Sequence, residues 1–245
     1  MSNITKLDTS ALAAAAAFGD DFFEDKTGSS APSFTTYTAA LDGFSDQDDN
    51  TVSEVVGYTV HTRRQVALWL GDGVGEPALS SFDGEKWDKW DQSQLDDIGD
   101  PEAYKVPVDE SPYMQWDKHP ETGKSVKGKI TEGGVLGAKE TYILYVLQEG
   151  NELPVAVKVP AGSFRNLKGY KKELAKNKLT LPKVQTKFTI KSEKAGTNKW
   201  ATVQFDAVGV VGTKEEWDAI TTCAKLTQDT LSGFAQPKKE ADPPF

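Results

Sequence analysis

Two stretches late in the chain alternate apolar and polar residues with the period of two that a half-buried strand demands. Val184, Thr186, Phe188 and Ile190 interleave with Gln185, Lys187, Thr189 and Lys191. After a turn at 193–198, Ala201, Val203, Phe205 and Ala207 are expected to face inward, with Trp200, Thr202, Gln204 and Asp206 outward. Earlier, 141–148 and 153–159 read as strands flanking the hairpin turn Glu149-Gly150-Asn151. Between the two strand pairs the period changes. Phe164, Leu167, Tyr170 and Leu174 trace a helical stripe with Ser163 as its N-cap. Thr213 and Glu216 have the spacing of a capping box for a last helix, with Trp217, Ile220 and Ala224 on its buried side.

The first part of the chain is less regular. Residues 1–30 read as loosely ordered, with a candidate short helix at 9–18. Candidate strands follow at 34–39, 52–62 and 65–70, rich in Val, Tyr and Thr. Residues 71–139 have no clear period and are dense in Gly, Pro and Asp, with Trp87, Trp90, Tyr104, Tyr113 and Trp116 spread through them. Such a length is too great for a simple loop, so an ordered insertion is expected. Beyond 231 a flexible tail is expected, to residue 245. The fold class is therefore α+β and mainly β, one domain over 31–231. Strands, a long insertion, a hairpin, a helix, a hairpin and a closing helix fit an OB-like five-stranded barrel with a helix between strands 3 and 4. An α+β sandwich fits almost as well.

Charge changes the picture. The net charge of −9 argues against a polyanionic partner, but it is unevenly spread. Residues 1–117 hold 7 basic and 23 acidic side chains, 118–200 hold 17 and 7, and 201–245 hold 4 and 7. An acidic chain with one basic third can still build a positive groove. The one cysteine, Cys223, excludes an internal disulfide and a cysteine-cluster zinc site, and no cofactor is expected. No apolar run approaches the ~20 residues a bilayer requires, and the N-terminus has no signal-peptide pattern. A cytoplasmic protein without a membrane partner is expected.

The terminus Glu240-Ala241-Asp242-Pro243-Pro244-Phe245 resembles the C-terminal tip of bacterial single-stranded DNA-binding proteins, although Lys238 and Lys239 interrupt its acidic run. A terminal phenylalanine offers a ring and a carboxylate to a partner's pocket, and prolines limit the entropy lost on docking. The segment 142–230 resembles single-stranded DNA-binding proteins of phages and mobile elements. Tyr142-Ile143-Leu144-Tyr145-Val146-Leu147, Glu152-Leu153-Pro154, Pro160 through Ser163 and Thr186 through Ile190 carry that resemblance, with Trp69, Pro77 and Ser80-Ser81-Phe82-Asp83-Gly84 upstream. Relatives often place a cysteine cluster in the insertion. This chain has none there, so no zinc site is carried over.

The resemblance implies sequence-independent binding and protection of single-stranded DNA during replication, recombination or repair, in a bacterial or phage-infected cytoplasm. Asp242, Pro243, Pro244 and Phe245 would recruit replication or recombination proteins. From the residues themselves, bases stack on exposed rings while lysines neutralise phosphates. Trp200 is the leading ring, on a polar strand face beside Lys199 and across a hairpin from Lys191. Lys187, Lys194, Lys127 and Lys129 are the further candidate cations, and Tyr145 is favoured over Tyr142 as a second ring. Trp87, Trp90 and Trp116 are expected to pack the insertion. A protein-binding adaptor is the alternative reading, and self-association stays open. The acidic clusters Asp46-Gln47-Asp48-Asp49 and Asp96-Asp97 raise a third reading, a metal-dependent nuclease. They sit in loop-like sequence, with no phosphate-cradling loop, nucleophile elbow or His-Glu-x-x-His beside them, so no enzyme is expected.

Overall fold

The computed structural model describes residues 34–70, 76–151 and 153–234. The N-terminal segment with its candidate helix and the C-terminal tip lie outside these residues. The described chain is α+β, with strands dominant, a curled main sheet and three helices. It divides into two compact units. One comprises 34–62 and 142–234, the other 63–141.

In chain order the strands begin with β1 (Thr36–Ala40), β2 (Gly43–Ser45), β3 (Thr51–Val52) and β4 (Glu54–Leu68). There follow β5 (Leu79–Ser81), β6 (Lys89–Trp90) and the short helix α1 (Gln92–Asp97). Next come β7 (Trp116–Lys118), β8 (Ser125–Lys127), β9 (Lys129–Thr131), β10 (Gly134–Leu136), β11 (Lys139–Leu147) and β12 (Val155–Pro160). Helix α2 (Phe164–Lys176), the long hairpin β13 (Val184–Ala195) and β14 (Asn198–Val210), and helix α3 (Lys214–Phe234) complete the series.

The main ladder runs β14-β13-β4-β11-β12-β1-β2-β3. Its β13–β4 and β13–β14 pairs are antiparallel, and β1 lies parallel to β12. The alternation in β13 is what the ladder buries. Val184, Thr186 and Phe188 are enclosed while their neighbours are half-exposed. Phe188 joins Val55, Leu144, Val157, Leu167 and Val203 in the core of the first unit. Each such side chain contributes about 1.5–3 kcal/mol relative to exposure. Gly57 allows β4 to press on β11, because a Cβ there would stand 2.3 Å from the Leu147 carbonyl oxygen.

Helix α2 docks by the stripe read from its spacing, with Leu167 and Leu174 buried. The Tyr170 hydroxyl is 2.8 Å from Thr186 Oγ1, so its polar end is satisfied inside. Ser163 stands at the N-cap position but caps nothing. Its Oγ accepts from the Val203 N–H at 2.9 Å, while Asn166 Nδ2 donates to the Val203 carbonyl at 3.0 Å. Two side chains at the helix start thus satisfy the backbone of β14 where a further strand would have paired. The box at α3 forms as expected. Thr213 Oγ1 accepts from the Glu216 N–H at 3.1 Å and Glu216 returns to the Thr213 N–H at 3.3 Å. Ile220, Cys223, Thr227 and Leu231 are buried along that helix. Cys223 takes the inner position expected of Ala224, which is only half-buried.

Two strand expectations change. The candidates 52–62 and 65–70 are largely one fifteen-residue strand, β4. In β14, Thr202 is buried and Ala207 exposed, the reverse of the simple alternation. Thr202 Oγ1 donates to the Lys191 carbonyl at 3.2 Å, and a bulge at Gln185/Thr186 shifts the register near Ala207.

The second unit has its own core of Val66, Leu68, Leu79, Leu95, Val108 and Tyr113. Arg64 organises one side of it, donating to Glu140 at 2.9 Å and to the Gly84 carbonyl at 3.1 Å while pairing with Asp109 at 2.8 Å. Among the described residues no helix is long and apolar enough to cross a membrane.

Candidate nucleic-acid interface

The β13–β14 register decides which of the expected residues share a surface. Glu193 faces Trp200, Lys191 faces Thr202, and Lys187 faces Asp206. Directly opposed residues project to the same side, so Trp200, Lys191 and Lys187 lie on one face of the ribbon. Lys194 and Lys199 oppose each other on the other face, near a tip turned by Gly196 at φ 61°. The Trp200 indole is 41% exposed. Its edge leans on the turn before α2, where a Cβ built on Gly162 would come within 3.9 Å of Trp200 Cδ1. The ring thus lies close to that turn while two-fifths of the residue stays exposed.

The lysines are not equal. Lys187 pairs with Glu54 at 3.2 Å and Lys191 with Glu193 at 2.8 Å. A phosphate reaching either must displace a carboxylate. Lys194 and Lys199 have no carboxylate partner among the described residues. Opposed like charges disfavour a strand pair, so an anion at the ribbon tip relieves a standing repulsion.

Tyr145 is a correction. It is 2% exposed, with ring contacts to Phe34 at 5.1 Å and His61 at 5.8 Å. The strand β11 is enclosed on both sides from Ile143 to Leu147, so being on the opposite face from Tyr142 does not free it. Tyr142 is half-buried and packs edge-on against Phe164. Neither ring offers an open stacking face.

Lys127 and Lys129 belong to the second unit, whereas Lys187, Lys191, Lys194, Lys199 and Trp200 belong to the first. Lys127 is bonded to Glu140. Lys129 is 2.8 Å from Asp100, which also accepts from the Tyr113 hydroxyl at 2.9 Å. Burial pushes the Asp100 carboxyl up, but hydrogen bonds from Lys129 and Tyr113 outweigh it and hold the group below the usual carboxylate range. Burial, then Asp100, pushes the Tyr113 phenol far up. Both lysines stabilise the insertion and are poorly placed to serve as spare cations.

The tryptophans of the insertion divide. Trp87 is buried. Trp90 stacks on Tyr104 with centroids 4.1 Å apart and planes 3° from parallel. Trp116, expected to pack, is 71% exposed. The sequence carried no periodic sign of it, because Trp116-Asp117-Lys118 and Ser125-Val126-Lys127 pair into a short hairpin with no apolar face.

Other sequence features serve local structure. Ser81-Phe82-Asp83-Gly84 is a turn in which Ser81 Oγ accepts from the Gly84 N–H at 2.9 Å, and the Phe82 ring lies 3.5 Å from the Arg63 guanidinium carbon. Asp46 accepts from the N–H groups of Asp48 and Asn50 at 2.9 and 2.8 Å, and the Asn50 side chain leads in holding its carboxyl below the usual range. Among the described residues no cluster of His, Cys, Asp or Glu is arranged to hold a metal ion. In the first unit a cleft of about 460 Å³ is lined by β4 at Thr59 and His61, by α2 at Lys171 and Leu174, and by Leu181. None of the hairpin residues lines it. Compared with protein-family models, curated proteins and solved structures, the chain has no significant match.

Proposed function

We propose that the protein binds single-stranded DNA without sequence preference, on the β13–β14 ribbon, and recruits replication or recombination proteins through Asp242–Phe245. The observation that carries this reading is the partly exposed Trp200 indole on one face of the ribbon, with the unneutralised Lys194–Lys199 pair on the other face, close to the same tip. A ring with a free face accepts any base, and lysines at the margin accept any phosphate, so the pairing of the two selects a strand and not a sequence. The topology supports an OB-like barrel. The five principal strands are β4, β11, β12, β13 and β14, with α2 between the third and fourth. The fourth pairs with the first, and Ser163 and Asn166 stand at the edge of the fifth.

Titration of labelled oligo-dT at two salt concentrations tests this. Affinity should fall with salt at a slope of ~0.7 per phosphate contacted. Binding that ignores salt removes the lysines from the mechanism, and absence of binding removes the function. The adaptor reading draws on Val208 and Val210, both exposed at the end of β14. It gains if a partner protein is retained by the ribbon while oligo-dT is not.

A further inference from the structure

We propose that the β7–β8 hairpin of the second unit is a separate single-strand contact, in which Trp116 stacks on a base and Lys118 and Lys124 meet flanking phosphates. This rests on the single-strand reading above and extends it to a surface that the first unit does not supply. The register places Trp116 opposite Lys127 and Lys118 opposite Ser125, so these four residues share one face. Asp117 projects to the other face, opposite Val126.

Trp116 is the most exposed large apolar side chain among the described residues. A tryptophan in a two-stranded hairpin ordinarily folds over its cross-strand neighbour. That neighbour is Lys127, and its ammonium is drawn to Glu140 instead. No ring or cation among the described residues covers the indole. Lys118 and Lys124 are exposed, and no carboxylate among the described residues pairs with either.

The base of the hairpin is fixed while its face is bare. The Gly128 N–H donates to the Gln115 carbonyl at 2.8 Å. Gly128 has φ 128°, and a Cβ there would stand 2.4 Å from the Leu136 carbonyl oxygen. At the turn, His119 accepts from the Gly123 N–H at 2.8 Å and donates its own N–H to the Lys124 carbonyl at 2.9 Å. An exposed indole on a pinned ribbon, with Lys118 on its face and Lys124 further on at the turn, has the chemistry of a base-stacking platform. Apolar area alone would suit a peptide as well. The two unpaired cations favour a polyanion.

The test uses the full chain and labelled oligo-dT with four variants, W116A, W116F, K118A/K124A and W200A. W116A should weaken binding about fivefold or more, the range expected for one lost base stack. W116F should recover most of the loss, because a smaller ring still stacks. The thermal midpoint of both should match the wild-type chain, since the indole is exposed. K118A/K124A should lower the salt slope by ~0.7 for each phosphate contact removed. Photo-crosslinking of a bromouracil-substituted strand should label peptides from both hairpins. W116A binding like wild type while W200A is weakened, with crosslinks confined to β13–β14, overturns the second contact and leaves the first. An unimpaired W116A that gains or loses a protein partner instead makes this face a protein-binding surface. A wild-type chain that does not bind oligo-dT overturns both readings together.

Discussion

Trp200 and Ser163 occupy neighbouring ground but answer to different forces. Truncating Trp200 to Ala removes a ring that is two-fifths in water, so the thermal midpoint should move little. Affinity for oligo-dT should fall by ~1–3 kcal/mol, read by fluorescence titration. A large stability loss with unaltered binding would reassign the ring to packing on Gly162. Changing Ser163 to Ala leaves the Val203 N–H buried without its acceptor and should cost about 1–3 kcal/mol in denaturant melts. Cys223 gives a third prediction. Burial pushes its thiol up to about 11. The folded state therefore keeps a proton that the unfolded chain releases near pH 8.5 to 9. Stability from this site is full below that range and is lost as pH rises towards 11, by roughly 2–3 kcal/mol. C223A should flatten that part of the pH–stability curve. An unchanged slope would show that the thiol is not shielded.

At the scale of elements, the β13–β14 ribbon divides its lysines by their neighbours. Replacing Lys194 and Lys199 by Ala should weaken binding to every single-stranded sequence about equally and flatten the salt dependence. Replacing Lys187 and Lys191 should do the same to a lesser degree, because Glu54 and Glu193 already neutralise them. If the second pair matters more than the first in the oligo-dT titration, the carboxylates do not screen as argued. The ribbon was legible in the sequence because only one side of β13 meets the core, so burial wrote itself as alternation. Strand β4 was not. Val55 serves the first core, whereas Val66 and Leu68 serve the second, and the charged pair Arg63-Arg64 between them reads as a break. β11 hid Tyr145 for the opposite reason. A strand covered on both sides has no face to tell apart, and the uninterrupted Ile143–Leu147 run was the available sign. Ser163 sat at the right place for a cap, but sequence spacing carries no information about a partner forty residues away. The Trp116 hairpin was not legible, because neither of its faces is apolar, and the ring's exposure depended on a carboxylate, Glu140, that only the fold brings to Lys127.

For the whole molecule, the acidic excess of residues 1–117 and the basic balance of 118–200 set a bias that salt can tune. Deleting Asp242–Phe245 removes one negative side chain, Asp242. DNA affinity should therefore stay constant or rise slightly, while partner capture in pull-downs from the native cell lysate disappears. F245A should reproduce that loss alone. Identical partner sets for both forms would mean that the resemblance of the tip is coincidental.

The two compact units also impose a condition on how the chain is tied. The path leaves the first unit after Thr62 on β4 and returns at Tyr142 on β11, and these two strands are ladder neighbours. In polymer terms, the whole of 63–141 is one loop closing a strand pair. A flexible loop of roughly eighty residues costs about 2–3 kcal/mol more to close than a four-residue turn, since closure entropy grows only with the logarithm of length. A segment that collapses onto its own core of Val66, Leu79 and Tyr113 brings its ends within a narrower range before they meet, and so carries less of that entropy into the pairing step. Seen this way, the second unit is a splice whose length is nearly free to vary. What is not free is the separation of its two ends, which the spacing of adjacent strands dictates.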